Sequence, residues 1–136
     1  MHALSSSDRE FVRAFESLEL DPAQFDHRAH VRLAYAYLVD RDPDAAASSM
    51  RASLNAFIRH NAGDPAKYHE TITRAWILAV RHFMSRSPGA ASADAFIDAN
   101  PTLLDRSIML THYSAEVLFS EEARRRWVEP DMEAIP

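Results

Sequence analysis

The sequence predicts an all-α fold: a single domain over residues 1–136, a compact bundle of about five to seven helices with an extended C-terminal tail. Three observations predict it. Only two glycines occur, Gly63 and Gly89, and tight β-hairpins lean on glycine. Apolar residues recur at helical intervals, as at Val31, Ala34, Tyr35 and Leu38, which makes one face of an amphipathic helix. The dipeptides Asp42-Pro43, Asp64-Pro65 and Asn100-Pro101 each offer a side-chain cap followed by proline at the first helical position, where its missing N–H costs nothing.

Taken in order, the first helix is expected over about 8–18, with Ser7 and Glu10 as a capping box. Phe11, Ala14, Phe15 and Leu18 form its buried stripe. Asp21-Pro22 opens a turn, and Asp26 caps the second helix. His27 then falls in the first turn, where the positive end of the helix dipole disfavours an imidazolium and keeps the ring neutral. A third helix over about 43–60 buries Ala46, Met50, Leu54, Phe57 and Ile58 and stops at Gly63. The fourth, over about 65–86, is expected to be the longest. It carries His69 one turn in, on a face shared with Ile72, Thr73, Trp76, Val80 and Phe83. A loop around Pro88-Gly89, a short helix over 92–99, a helix over about 101–118 and a last helix capped by Ser120 complete the set. Trp127 and Val128 predict that the Pro-containing tail packs back across the domain.

Composition removes several function classes. Fifteen basic residues against 20 acidic ones give a net charge of −5, so the basic face that nucleic-acid binding needs is not expected. The one basic run, Arg124-Arg125-Arg126, complements the C-terminal end of a short helix. Without cysteine there are neither disulfides nor thiolate ligands, so any metal must be held by imidazole and oxygen. Scarce glycine excludes a P-loop or a dinucleotide fingerprint. The N-terminal stretch has no basic or apolar leader segment and no run approaches membrane-spanning length. A cytoplasmic protein with no membrane partner is expected.

Seven histidines supply the chemistry that remains. His27 and His30 sit at i and i+3 on one helical face, close enough to share one ion. With His69 they predict a three-imidazole metal centre with an open position, as in catalytic sites. A divalent transition metal is implied, zinc foremost, with iron, nickel or copper compatible with the ligands. Tyr68, Glu70, Thr73 and His112 are the candidate catalytic residues, relaying protons or orienting a small-molecule substrate. Glu70 reads more readily as a salt-bridge partner of Arg74, and His112 equally as a satisfied core residue. His2, His60 and His82 fall off the buried stripes and are expected at the surface. No Glu-x-x-His, His-Asp or HExxH motif occurs, which argues against a di-iron bundle, an HD phosphohydrolase and a zincin. Two alternatives stand beside the metalloenzyme. In one, the histidines line an apolar pocket among Tyr35, Trp76 and Met109 and bind a small ligand or partner without chemistry. In the other they are purely structural.

The segments F-x-H-x-x-H-x-x-x-A-x-x-Y-L from Phe25, Y-H-E-T-I-T-x-A-W from Tyr68, H-Y-S from His112 and W-V-E-P-D from Trp127 resemble those of a group of small bacterial helical proteins. The likeness runs from Phe25 to Pro136 and carries no activity with it. It implies that His27, His30, Tyr68, His69, Glu70, Thr71, Thr73, Tyr113, Ser114, Arg124 and Trp127 are pattern positions. It admits tyrosine at 112, so His112 is not implied to be an obligatory ligand.

Overall fold

The computed structural model describes residues 1–136 and consists of eight α-helices and four short 3₁₀ turns, with no strand. Capping side chains set most boundaries. α1 (Ser6–Glu16) opens at Ser5, whose hydroxyl accepts the Asp8 N–H while the Asp8 carboxylate accepts the Ser5 N–H. The capping box is therefore Ser5 with Asp8 rather than Ser7 with Glu10. Asp8 is selected because its carboxylate is also needed inside, where it meets Arg32 of α2 (His27–Asp40) at 3.0 Å. α2 starts at Asp26 as expected, and α3 (Pro43–His60) at Asp42. α4 (Glu70–Ser85) begins later than expected, because Pro65–Lys67 forms a separate 3₁₀ turn and His69 becomes the cap. α3, with 18 residues, is consequently longer than α4, with 16.

After α5 (Ala93–Ala99), the helix expected over about 101–118 is broken up. Two 3₁₀ turns, Pro101–Leu104 and Arg106–Ile108, lead into α6 (Met109–His112) and α7 (Ala115–Leu118), followed by α8 (Glu121–Arg125). Local side-chain bonds cause the breaks. The Asp105 carboxylate accepts the Ser107 N–H at 2.9 Å and the Ser114 hydroxyl accepts the Val117 N–H at 3.2 Å. Such short polar side chains compete with the helical ladder and restart a turn.

α2 is the central element, packed against α1, α3, α4 and α5, while α4 also supports α8. Its burial goes beyond one stripe: Val31 and Leu33 to Tyr37 are all buried, as befits a helix surrounded on several sides. Phe15, Met50, Ile77, Val80 and Phe96 complete the centre of the core. The phenols of two core tyrosines are satisfied, Tyr35 donating to the Ala3 carbonyl at 2.8 Å and Tyr37 to Glu16 at 2.8 Å, as buried phenols require. No helix is long and apolar enough to cross a membrane.

α3 ends in a left-handed residue, but that residue is Ala62, with φ 56°, and not Gly63. The Gly63 N–H closes the end by donating to the Ile58 carbonyl at 2.8 Å. Gly63 avoids a crowded fit, since a Cβ there would lie 3.0 Å from Ile58 Cγ2 and 3.1 Å from the Ile58 carbonyl oxygen. Because a left-handed alanine is strained and Ala62 is exposed, Ala62→Gly is expected to raise stability by about 0.5–1 kcal/mol, read from chemical denaturation.

The tail does pack back. The Thr71 hydroxyl, fully buried, donates to the Arg126 carbonyl at 2.7 Å and accepts the Val128 N–H at 3.1 Å. The Tyr113 hydroxyl donates to the Val128 carbonyl at 2.7 Å, and the Met132 N–H donates to the His112 carbonyl at 3.0 Å. Thr71→Val keeps the shape but strands two backbone groups. A loss of about 1–2 kcal/mol is expected, with earlier proteolysis of the tail as the local readout.

Candidate functional site

The first turn of α2 meets the broken segment 103–119, with Ile72 and Trp76 of α4 beside both. Asp26 accepts the Ala29 N–H at 2.9 Å and so fixes where the helix begins, which places His27 and His30 one turn apart on the same side. The ring of His27 sits against Trp76, with centroids 4.6 Å apart and planes at 67°. Its Nε2 donates to the Leu103 carbonyl at 2.9 Å, since a carbonyl oxygen can only accept. The His30 ring lies 6.3 Å from that of His27. Part of His30 faces a cleft, yet its Nε2 is closed off behind the wall and has no hydrogen-bond partner. Every other fully buried side-chain nitrogen or oxygen in the chain has one.

Both rings are neutral at pH 7. Burial, helped by the neighbouring His27, pushes the His30 pKa down to about 4. Burial also lowers His27, with the Arg106 charge adding to the effect and the Leu103 bond opposing it. Neutrality matches the sequence reading for His27, but desolvation is its main cause.

The cleft has a volume of about 620 Å³ and is lined mainly by apolar and aromatic groups, including Phe25, Trp76, Met109 and Leu118. Two further lining residues, Leu110 and Phe119, stay 41% and 67% exposed at its mouth. Asp26, Arg106 and Ser107 supply the polar part of the lining. A second cleft of about 600 Å³ beside α1 includes Arg28, Arg32 and Asp94. There the arginines are already paired, Arg28 with Asp94 and Asp98 and Arg32 with Asp8.

His69 does not join His27 and His30, and it does not line the cleft. It is the N-cap of α4 rather than a residue one turn inside it. Its Nδ1 accepts the Ile72 N–H at 3.0 Å and its Nε2 donates to the Leu118 carbonyl at 2.8 Å, so both ring nitrogens are committed. No group of three or more His, Asp or Glu side chains is placed to hold one metal ion. The three-imidazole centre expected from spacing is therefore not assembled. An N-cap position turns the ring onto the backbone instead of letting it project from the helix face.

The candidate catalytic residues also lie outside the cleft. The Tyr68 hydroxyl donates to Glu70 at 2.7 Å. Glu70 pairs with Arg51 at 2.8 Å, and that guanidinium holds its carboxyl below the usual range. The expected Arg74 partner pairs with Asp44 instead. Thr73 is buried, its hydroxyl facing that of Tyr68. His112 fastens the tail, its Nδ1 donating to the Glu133 carbonyl at 2.8 Å. His60 is exposed, but His2 is wedged between Tyr35 and Phe96 and bonds the Met84 carbonyl at 2.8 Å. Among cleft residues, Arg106, Ser107, Leu118 and Phe119 were missed, since a continuous helix over that stretch would have spread them round its circumference. Asp105, a turn-forming residue inside the apparent helix, was the available signal. No protein-family model, curated protein or solved structure matches this chain.

Proposed function

We propose that this protein binds a small, mainly apolar molecule in the cleft beside His27 and His30. The observation that carries the reading is the unpartnered His30 Nε2, closed off just behind the cleft wall that the rest of the ring helps to form. An unsatisfied buried polar atom costs about 1–3 kcal/mol and survives where something other than stability maintains it. Rotation of the imidazole about χ2, which is soft, would present that nitrogen to a polar group on the ligand. With a pKa near 4 the ring is a poor proton acceptor at pH 7, which favours a binding role over acid–base work. The cytoplasmic setting and the lack of a nucleic-acid partner expected from the sequence belong to the same reading.

The metal reading keeps one observation in its favour, a neutral imidazole nitrogen free to coordinate with a second ring 6.3 Å away. In that form His27 and His30 alone would hold zinc, or iron, nickel or copper, with solvent or substrate completing the shell. Calorimetric titration separates the two. Stoichiometric zinc binding that vanishes in His30→Leu supports the metal, whereas binding of aromatic compounds by metal-free protein supports the ligand cleft.

His30→Leu is the decisive variant. It is expected to weaken ligand binding at least tenfold while raising stability by about 1 kcal/mol at pH 7, because it removes the orphaned nitrogen and leaves an apolar side chain of similar size. A variant that is less stable and still binds fully would overturn the proposal.

A further inference from the structure

We infer that the ligand is an aromatic monocarboxylate, with its ring over Trp76 and its carboxylate on Arg106. This deepens the binding reading and rests on it. Arg106 is the only cation in the cleft lining, and it takes part in none of the chain's ion pairs. Two carboxylates adjoin it, Asp105 in sequence and Asp26 in the cleft lining, and neither pairs with it. Asp105, its neighbour in the chain, accepts from the Ser107 N–H at 2.9 Å and from the Ser107 hydroxyl at 2.6 Å. Asp26, across the cleft, accepts the Ala29 N–H at 2.9 Å and faces the positive end of α2. A guanidinium offers a planar fork of donors that fits a carboxylate with two parallel bonds. Left free at the rim of an apolar cleft, it is matched by an anionic head on an apolar body.

The body is aromatic because the walls are. Phe25 and Trp76 line the interior and Phe119 the mouth, and Phe119 is 67% exposed. Edge-to-face and offset contacts among such rings add to the gain from covering them. The His30 ring forms part of the lining, and the same χ2 rotation would let its Nε2 meet a carbonyl or hydroxyl on the ligand.

Phenylacetate and its uncharged isostere phenylacetamide make the comparison, with hexanoate as the non-aromatic acid. Binding is read by Trp76 fluorescence in a Trp127→Phe background, so that only the cleft tryptophan reports, and checked by calorimetry at low ionic strength. Phenylacetate is expected to bind at least tenfold tighter than the amide. Arg106→Met should erase that advantage and leave the affinity for the amide unchanged. Arg106 is exposed and unpaired, so the variant is expected to keep the wild-type melting temperature. Equal binding of acid and amide, or an Arg106→Met variant that weakens both alike, overturns the carboxylate assignment while leaving the cleft as a site for a neutral ligand. Hexanoate binding as tightly as phenylacetate overturns the aromatic part. If neither aromatic compound binds, the cleft reading itself falls.

Discussion

Asp8→Ala is expected to cost about 3 kcal/mol, the largest loss of any single substitution considered for this protein. The carboxylate is only 1% exposed and joins three elements. It accepts the Ser5 N–H at 3.0 Å, the Ala93 N–H of α5 at 2.9 Å and the Arg32 Nε of α2 at 3.0 Å. Alanine would strand two backbone donors and leave a mostly covered guanidinium without its counter-charge, which is how breaking a buried pair becomes expensive. Asp8→Asn keeps one acceptor and is expected to recover part of the loss. Urea denaturation of the three proteins at pH 7 checks the order. A loss below about 1 kcal/mol for alanine would show that water replaces the network.

Acid exposes the same network from another direction. Burial alone would raise the Asp8 carboxyl, but the N–H groups of Ala93 and Ser5 and the Arg32 guanidinium outweigh it and hold it below its ordinary value. Its contribution is therefore complete above the unfolded value and fades only as pH falls through the lower folded one. His30 acts earlier. Between its ordinary 6.5 and the folded value of about 4, the unfolded chain takes up a proton that the folded chain refuses, so stability falls as pH drops through that window. By pH 4 the loss is on the order of 2–3 kcal/mol. His30→Leu should flatten this part of the curve, and its stability advantage over wild type should widen from pH 7 to pH 5.

His69→Ala is expected to cost about 2–3 kcal/mol, through two separate mechanisms. Losing the Nδ1 acceptor uncaps α4 at Ile72, worth about 1 kcal/mol. Losing Nε2–H leaves the Leu118 carbonyl without its donor on the side where α7 meets the cleft. His69→Asn should restore the cap but not the second bond, and so recover roughly half. The measurement is again equilibrium unfolding, combined with amide exchange at Leu118 and Phe119, which should quicken in both variants. If His69→Ala left stability intact but changed metal content, the ring would belong to a metal centre after all.

The same residue shows where sequence reading succeeds and where it stops. Helical periodicity correctly turned Val31, Ala34, Tyr35, Trp76 and Val80 inward, and Asp26, Asp42 and Ser120 were legible as caps. The motif Y-H-E-T-I-T-x-A-W was legible as dense in polar chemistry. Its polar members nonetheless fasten the fold: Tyr68 to Glu70, His69 to Ile72 and Leu118, Glu70 to Arg51, and Thr71 to the tail. Spacing gives the face on which a side chain leaves its helix. It does not give the backbone group from a distant segment that meets it there.

By itself, then, the sequence determined the all-helical class, the starts of α2 and α3, the core face of each long helix and the placement of His27 and His30 on one side of α2. Those follow from forces acting within about one helical turn, namely caps and periodicity. Only the tertiary structure decided that His69 is consumed by Leu118, that Asp8 links α1, α2 and α5, and that Arg106 and Phe119 come to the cleft holding His30. These depend on which carbonyls, amides and charges from remote parts of the chain fill each other's hydrogen-bonding capacity, and that pairing is settled only when the core closes.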